Sequence, residues 1–149
     1  MDKAGDIANK GINVAEGGVK GLFAGVMTTP DQFAADLKAG RVTIKDVEFG
    51  GEDASTLKPT SDVVLRKLAA ALGDAPGKYL VESHVNMVGD PDIEQALSDR
   101  RAAAVTARLV ELGVSADKMS PKGFAATRPV EGNTKAAGNN ARIEVSRLP

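Results

Sequence analysis

The chain has 149 residues, 42% of them hydrophobic and 26% charged, which is enough apolar surface for one folded core and inconsistent with global disorder. With 19 Lys+Arg against 20 Asp+Glu and only 3% aromatic residues, it lacks the basic stripe and the stacking platforms of a nucleic-acid binder. The absence of cysteine excludes disulfides and thiolate metal sites, and a lone histidine excludes a histidine-cluster metal centre.

The N-terminus has no basic region followed by an apolar signal core, and no apolar run reaches the roughly 20 residues needed to cross a bilayer. A signal or lipid-anchor segment upstream of Met1 is compatible with this. From Ala8, the positions Ala8, Ile12, Ala15, Val19, Leu22 and Val26 fall on one helical face. Gly5, Gly11, Gly17, Gly18, Gly21 and Gly25 each oppose a helix by about 1 kcal/mol. Two readings therefore stand for this segment: a tether, or a helix that docks on a partner, a membrane or its own domain. A short helix follows, with Thr29 as cap, Pro30 in the first turn, Gln32 closing a capping box and Gly40 at the end. Residues 1–40 thus form a Gly/Ala-rich segment, and residues 41–149 the main domain.

Arg41 to Phe49 reads as a strand with a phase change near Asp46 that is compatible with a bulge, ended by Gly50-Gly51. After Pro59, Thr60 or Ser61 caps a helix that puts Val64, Leu65, Leu68 and Leu72 on one face before Gly73. Tyr79 to Val85 reads as a central strand, with Glu82 and His84 pointing to the same side. Asp90 and Pro91 open a long helix carrying Leu97, Arg101, Ala104, Val105, Leu109 and Leu112 on one broad face, with Gly113 as the stop. Lys118 to Ala125 is a further strand. A loop through Pro129, Gly132 and Asn133 then returns to a last strand, Ala141 to Val145. The order β-α-β-α-β-β predicts an α/β (α+β sandwich) architecture, with helices packed on a mixed sheet and preceded by the helical N-terminal segment.

Ser83-His84-Val85-Asn86, Gly89, Leu97-Ser98-Asp99-Arg100-Arg101-Ala102, Leu109 and Gly113-Val114 occur in an order and spacing that resembles the OmpA-like domain. That domain is shared by outer-membrane porin tails, peptidoglycan-associated lipoproteins and flagellar stator subunits. Gly123-Phe124-Ala125-Ala126-Thr127-Arg128-Pro129 with Asn133, and Asn140-Ala141-Arg142-Ile143-Glu144, resemble its later segments. So, upstream, does Phe49 with Ala54, Thr56, Leu57, Lys58 and Pro59. The resemblance spans about Val42 to Leu148.

The resemblance implies a non-catalytic pocket for the diaminopimelate part of a peptidoglycan stem peptide, with no cofactor and no metal. In the family an acid at the end of the second strand pairs with the ligand's ammonium group, and an arginine on the long helix grips a carboxylate. By motif these positions are Asn86 and Arg101, so the acid is missing. Val85 replaces the family's threonine, Glu94 its asparagine, Ala136-Ala137 its Gly-Arg, and Ala141 an arginine of the last strand. Glu94 is a candidate for supplying the missing negative charge. Asn140 and Arg142 complete the candidate ligand-binding set, although Arg142 can equally decorate the outer sheet face and Arg101 can serve structure alone. Arg100 and Arg108 are expected at solvent.

His84 has no Ser-His-Asp or Cys-His partner spacing, which excludes triad catalysis and leaves it as a strand residue. Asp90, Asp92 and Glu94 fit a helix N-terminus rather than a calcium loop. The implied location is periplasmic and associated with the outer membrane. The alternative function is an envelope assembly module that keeps the fold, no longer binds peptidoglycan and joins a protein partner.

Overall fold

A computed structural model describes residues 29–44, 46–130, 132 and 140–149. The expected helix from Ala8 to Val26 lies outside the described residues, as do Asn133, Ala136, Ala137 and Asn139.

Helix α1 spans Pro30–Ala39 and begins as its sequence signature requires. Thr29 Oγ1 accepts from the Gln32 N–H at 3.2 Å, and Gln32 Oε1 accepts from the Thr29 N–H at 2.9 Å. Gly40, at φ +118°, ends it in a conformation that a side chain would oppose. Phe33 and Leu37, one turn apart, are its buried residues.

Four strands form the main sheet: β1 (Arg41–Ile44), β4 (Tyr79–His84), β5 (Met119–Gly123) and β6 (Arg142–Arg147). Their spatial order is β1-β6-β4-β5. β6 runs antiparallel to both β1 and β4, while β4 and β5 are parallel. Helix α2 (Asp62–Asp74) precedes β4, and α3 (Pro91–Glu111) connects β4 to β5. Val42 and Ile44, Tyr79 and Val81, and Ile143 and Val145 alternate along their strands onto one face. There they join Phe33, Leu37, Val64, Leu65, Leu68, Leu72, Val105 and Leu109 in a single core. The helices therefore cover one face of a mixed sheet, which is the predicted α/β architecture.

The single strand expected from Arg41 to Phe49 is in fact two pieces. β1 stops at Ile44, and β2 (Phe49–Gly50) pairs with β3 (Thr56–Leu57) in a separate two-stranded ribbon. Continued alternation after Ile44 would turn Val47 and Phe49 away from the core. Breaking the strand lets both pack against it. Ser61 stands at the start of α2 but does not cap it, because a 3-10 turn (Pro59–Ser61) leads directly into the helix. Its hydroxyl accepts from Glu48 N–H at 2.8 Å and donates to Glu48 O at 3.1 Å, which fastens the β1–β2 connection. α2 also continues through Gly73 to Asp74.

Asp90 caps α3, accepting from Asp92 N–H at 3.0 Å, with Pro91 in the first turn. The fully buried stripe of α3 is Glu94, Ser98, Ala102, Val105 and Leu109. Leu97, Arg101, Ala104 and Leu112 flank it half-buried. Arg108, expected at solvent, instead grips Asp62 with two bonds of 3.0 and 2.7 Å and ties α3 to the start of α2.

Candidate functional site

A hollow of about 40 Å³ opens beside the C-terminal end of β4, lined by Val47, Phe49, Ser83, Arg101, Ala141 and Ile143 among others. As shaped, it has room for a few waters or a single small polar group. Arg101 reaches it from α3. Its Nε donates to the Ala54 carbonyl at 2.8 Å, and its guanidinium carbon lies 4.7 Å from the centre of the Phe49 ring. These contacts fix the plane of the fork while leaving its terminal nitrogens without a protein acceptor among the described residues. No described carboxylate pairs with it. Burial lowers the guanidinium's pKa from its usual value, yet it stays protonated at neutral pH. The hollow thus holds an oriented, uncompensated positive charge.

One of two unusual backbone positions supports this geometry. Ala54 (φ +58°) and Ala125 (φ +52°) are the non-glycine residues with positive φ among the described residues. Each such conformation costs roughly 1–2 kcal/mol. Ala54 presents the carbonyl that holds Arg101, and Ala125 presents the carbonyl that accepts from Val85 N–H at 3.0 Å. Strain kept at a site is a pointer to use.

The other sequence-predicted residues have different surroundings. Asn86 Oδ1 accepts from the backbone N–H groups of Asn140, at 2.7 Å, and Ala141, at 3.0 Å. That pairing identifies the oxygen of the amide and fastens the entry of β6 to the exit of β4. Glu94 is buried, and its Oε2 accepts from Val88 N–H at 2.8 Å and Gly89 N–H at 3.0 Å, clamping the loop ahead of α3. Val85 is only 1% exposed and packs inside. Asn140 is buried as well; its Oδ1 accepts from Val130 N–H at 2.9 Å. Arg142 lies beside the hollow, but its nitrogens go to Glu144, to Asn140 O at 2.7 Å and to Arg128 O at 2.9 Å. Of the predicted set, Arg101 is the residue with unpaired donors at the hollow, while Asn86, Glu94, Asn140 and Arg142 hold the surrounding loops in place.

Sequence reasoning passed over Ser83 as a site residue. It is 1% exposed, lines the hollow, and its hydroxyl has no protein partner. The available signal was strand parity, since Ser83 falls between Val81 and Val85 on the core-facing side of β4, where a polar residue is out of place.

The opposite face of the sheet carries a second polar cluster. Glu82 and Glu144 face each other across the β4–β6 register, a pairing of like charges that is unfavourable by itself. Arg41 bridges them, donating to Glu82 at 2.8 Å and to Glu144. Ser146 donates to Glu82 at 2.6 Å, and Arg142 pairs with Glu144. Burial pushes both carboxyl groups up, but these hydrogen bonds outweigh it and hold them below their usual range. His84 Nε2 lies 3.0 Å from Glu82, and its ring stacks on Phe124 at a centroid distance of 5.2 Å. Burial lowers the His84 pKa despite that carboxylate. Glu82, His84 and Glu144 converge within 4.8 Å. Two guanidinium groups already balance the two carboxylates, so the cluster is an ion-pair network and a divalent cation there would be uncompensated.

Residues 51–142 match the model of the OmpA family. Outer membrane protein A of Shigella flexneri is 31% identical over 104 residues, covering 68% of this chain and 30% of that protein. The chain spans less than half the length of the curated outer membrane protein A relatives that it matches. Among solved structures, the peptidoglycan-associated lipoprotein from Burkholderia pseudomallei aligns with a TM-score of 0.55 at 23% identity, covering 70% of this chain and 89% of that one. The cell wall anchor of the T6SS from Pseudomonas aeruginosa aligns with a TM-score of 0.59 at 23% identity, covering 78% and 94%. At these identities the structural likeness is one of fold.

Proposed function

Because this chain belongs to the OmpA family, we propose that it is a non-catalytic module of the cell envelope that associates with peptidoglycan by receiving a stem-peptide carboxylate on Arg101. The observation that carries this reading is the Arg101 guanidinium, oriented by Ala54 and Phe49 at the mouth of a hollow and paired with no described carboxylate. A planar fork held in this way suits a carboxylate, and holding it before binding reduces the entropy lost on association. The names of the solved neighbours, a peptidoglycan-associated lipoprotein and a cell wall anchor, support the same assignment. A periplasmic location at the outer membrane and a diaminopimelate-type stem peptide follow from this reading. No described helix is long and apolar enough to cross a membrane.

A second reading, an envelope assembly module without cell-wall affinity, is favoured by the state of Asn86 and Glu94. Asn86 is neutral with its Oδ1 taken by two backbone N–H groups, and Glu94, held by Val88 and Gly89 N–H, does not line the hollow, so no carboxylate stands beside Arg101 for an ammonium group. Co-sedimentation with purified diaminopimelate-type peptidoglycan decides between the two. The cell-wall reading expects wild type in the pellet and Arg101→Ala in the supernatant. Wild type left in the supernatant while Asn86→Asp pellets supports the assembly reading instead. Asn86→Asp keeps the acceptor for Asn140 and Ala141 N–H and adds the negative charge.

A further inference from the structure

We infer that the hollow beside Arg101 selects a lone carboxylate, the free C-terminus of a peptide or an N-acylated amino acid, and that Ser83 is its second anchoring residue. The inference rests on the proposed role of this pocket and narrows the chemical class of its ligand. Two observations at the lining of the hollow carry it. Arg101 brings an oriented cation with unpaired donors. Ser83 brings a hydroxyl that is buried, lines the same hollow and has no protein partner. Buried hydroxyl groups are ordinarily satisfied, and leaving one unmet is costly, so its retention points to a partner that arrives with the ligand. A carboxylate has two oxygens and four acceptor sites. It can take the guanidinium edge and the serine hydroxyl together.

The surroundings also say what the ligand does not carry. An ammonium group next to the bound carboxylate needs a carboxylate of the protein within reach, and no acidic residue lines the hollow. Asn86 Oδ1 holds Asn140 and Ala141 N–H, which leaves only N–H donors on that side chain. Glu94 Oε2 holds Val88 and Gly89 N–H. Asp53, in the turn before Ala54, pairs with Arg100 at 3.5 Å and receives Ser55 N–H at 3.2 Å. Glu144 and Glu82 lie on the other face of the sheet, bound to Arg41 and Arg142. A zwitterionic centre therefore brings its positive charge toward Arg101 with nothing to offset it. An amide at the same place brings none.

The test is a titration of isotope-labelled full chain, followed by the amide resonances of Phe49, Ser83 and Ala141, with N-acetyl-D-alanine, D-alanine, D-alaninamide and meso-diaminopimelate. The expected result is that N-acetyl-D-alanine binds at least threefold more tightly than D-alanine or meso-diaminopimelate and that D-alaninamide does not bind. Ser83→Ala should weaken N-acetyl-D-alanine about tenfold, the loss of one charge-assisted hydrogen bond. The same substitution should raise the thermal midpoint of the free protein by a few degrees, because it removes an unsatisfied buried group. A purely structural Ser83 would not move the two readouts in opposite directions. Tighter binding of meso-diaminopimelate than of N-acetyl-D-alanine overturns the inference, as does an affinity unchanged in Ser83→Ala. In either case retained co-sedimentation with peptidoglycan leaves the cell-wall reading standing. Loss of wild-type co-sedimentation, with N-acetyl-D-alanine still bound, overturns the cell-wall reading and supports the carboxylate preference.

Discussion

Gly123→Ala should destabilise the protein by about 4 kcal/mol, whereas Gly73→Ala, the same chemical change, should stabilise it by about 0.5 kcal/mol. Gly123 is the last residue of β5, where α3 crosses the sheet. A methyl group placed there would stand 2.3 Å from Ser98 Oγ, 2.4 Å from the Asp99 backbone nitrogen and 2.6 Å from Asp99 Oδ1. The backbone nitrogen belongs to a 21-residue helix and cannot rotate away, so α3 must retreat by about 1 Å to restore ordinary contact. Three hydrogen bonds span this crossing. Gln95 Nε2 donates to Gly123 O at 2.8 Å, Gly123 N–H to Asp99 Oδ1 at 3.0 Å, and Ala125 N–H to Ser98 Oγ at 2.9 Å. Loosening them at about 1 kcal/mol each, with an overpacking cost of about 1–3 kcal/mol, gives about 4–6 kcal/mol, and the figure above is its lower end because the bonds lengthen rather than break. That is a large fraction of the ~5–15 kcal/mol typical of a domain. Gly73 sits inside α2, and a methyl group added there would meet nothing within 4 Å, so the substitution changes only helix propensity. Urea denaturation of both variants measures the two effects. A loss below about 1 kcal/mol in Gly123→Ala, or a larger loss in Gly73→Ala than in Gly123→Ala, would refute the close-approach argument.

Arg41→Met leaves Glu82 and Glu144 opposed without their bridge. Breaking a buried pair can cost about 3–5 kcal/mol, and since the Arg41 side chain is 47% exposed the expected loss is nearer 2 kcal/mol. Urea denaturation should find that loss at pH 7 and less of it at pH 4, where the carboxylates accept protons; an equal loss at both would count against the charge argument. The pH dependence has one sign throughout. His84, Glu82 and Glu144 all titrate below their usual values in the folded state, so the unfolded chain binds more protons and stability rises with pH. Stability should be complete above about pH 6.5, fall first as His84 is protonated on unfolding, and fall further below about pH 4.5 as the two glutamates follow. Thermal midpoints measured from pH 8 to pH 4 check this. His84→Gln should flatten the section between pH 7 and pH 5, and a wild type that gains stability on acidification there would contradict the burial of a neutral ring.

Much of the fold is legible in the sequence because its signals are local. Thr29, Gln32 and Gly40 delimit α1, and Asp90 with Pro91 opens α3, through hydrogen bonds that close within a few residues. The motif order from Phe49 to Glu144 carries the family, and residues 51–142 match its model. The break after Ile44 was visible as a phase change near Asp46, but whether it meant a bulge or a new ribbon depended on Leu57 and Thr56 as partners. Asp62 offers no local sign that Arg108, 46 residues away, will bind it.

The sequence by itself determined the order of the helices and main-sheet strands, the apolar face of α2 and the placement of an arginine where the family puts one, because periodicity, caps and motif spacing are properties of neighbouring residues. Only the tertiary structure decided what the polar residues do. Asn86 accepts from residues 54 and 55 positions away, and Arg41 joins Glu82 and Glu144 across 41 and 103 positions. Glu94 closes onto its own loop, and Ser83 is left without a partner beside Arg101. A hydrogen bond is settled by distances of a few tenths of an ångström between groups that the chain brings together late, so their roles emerge only when the sheet and α3 are in place.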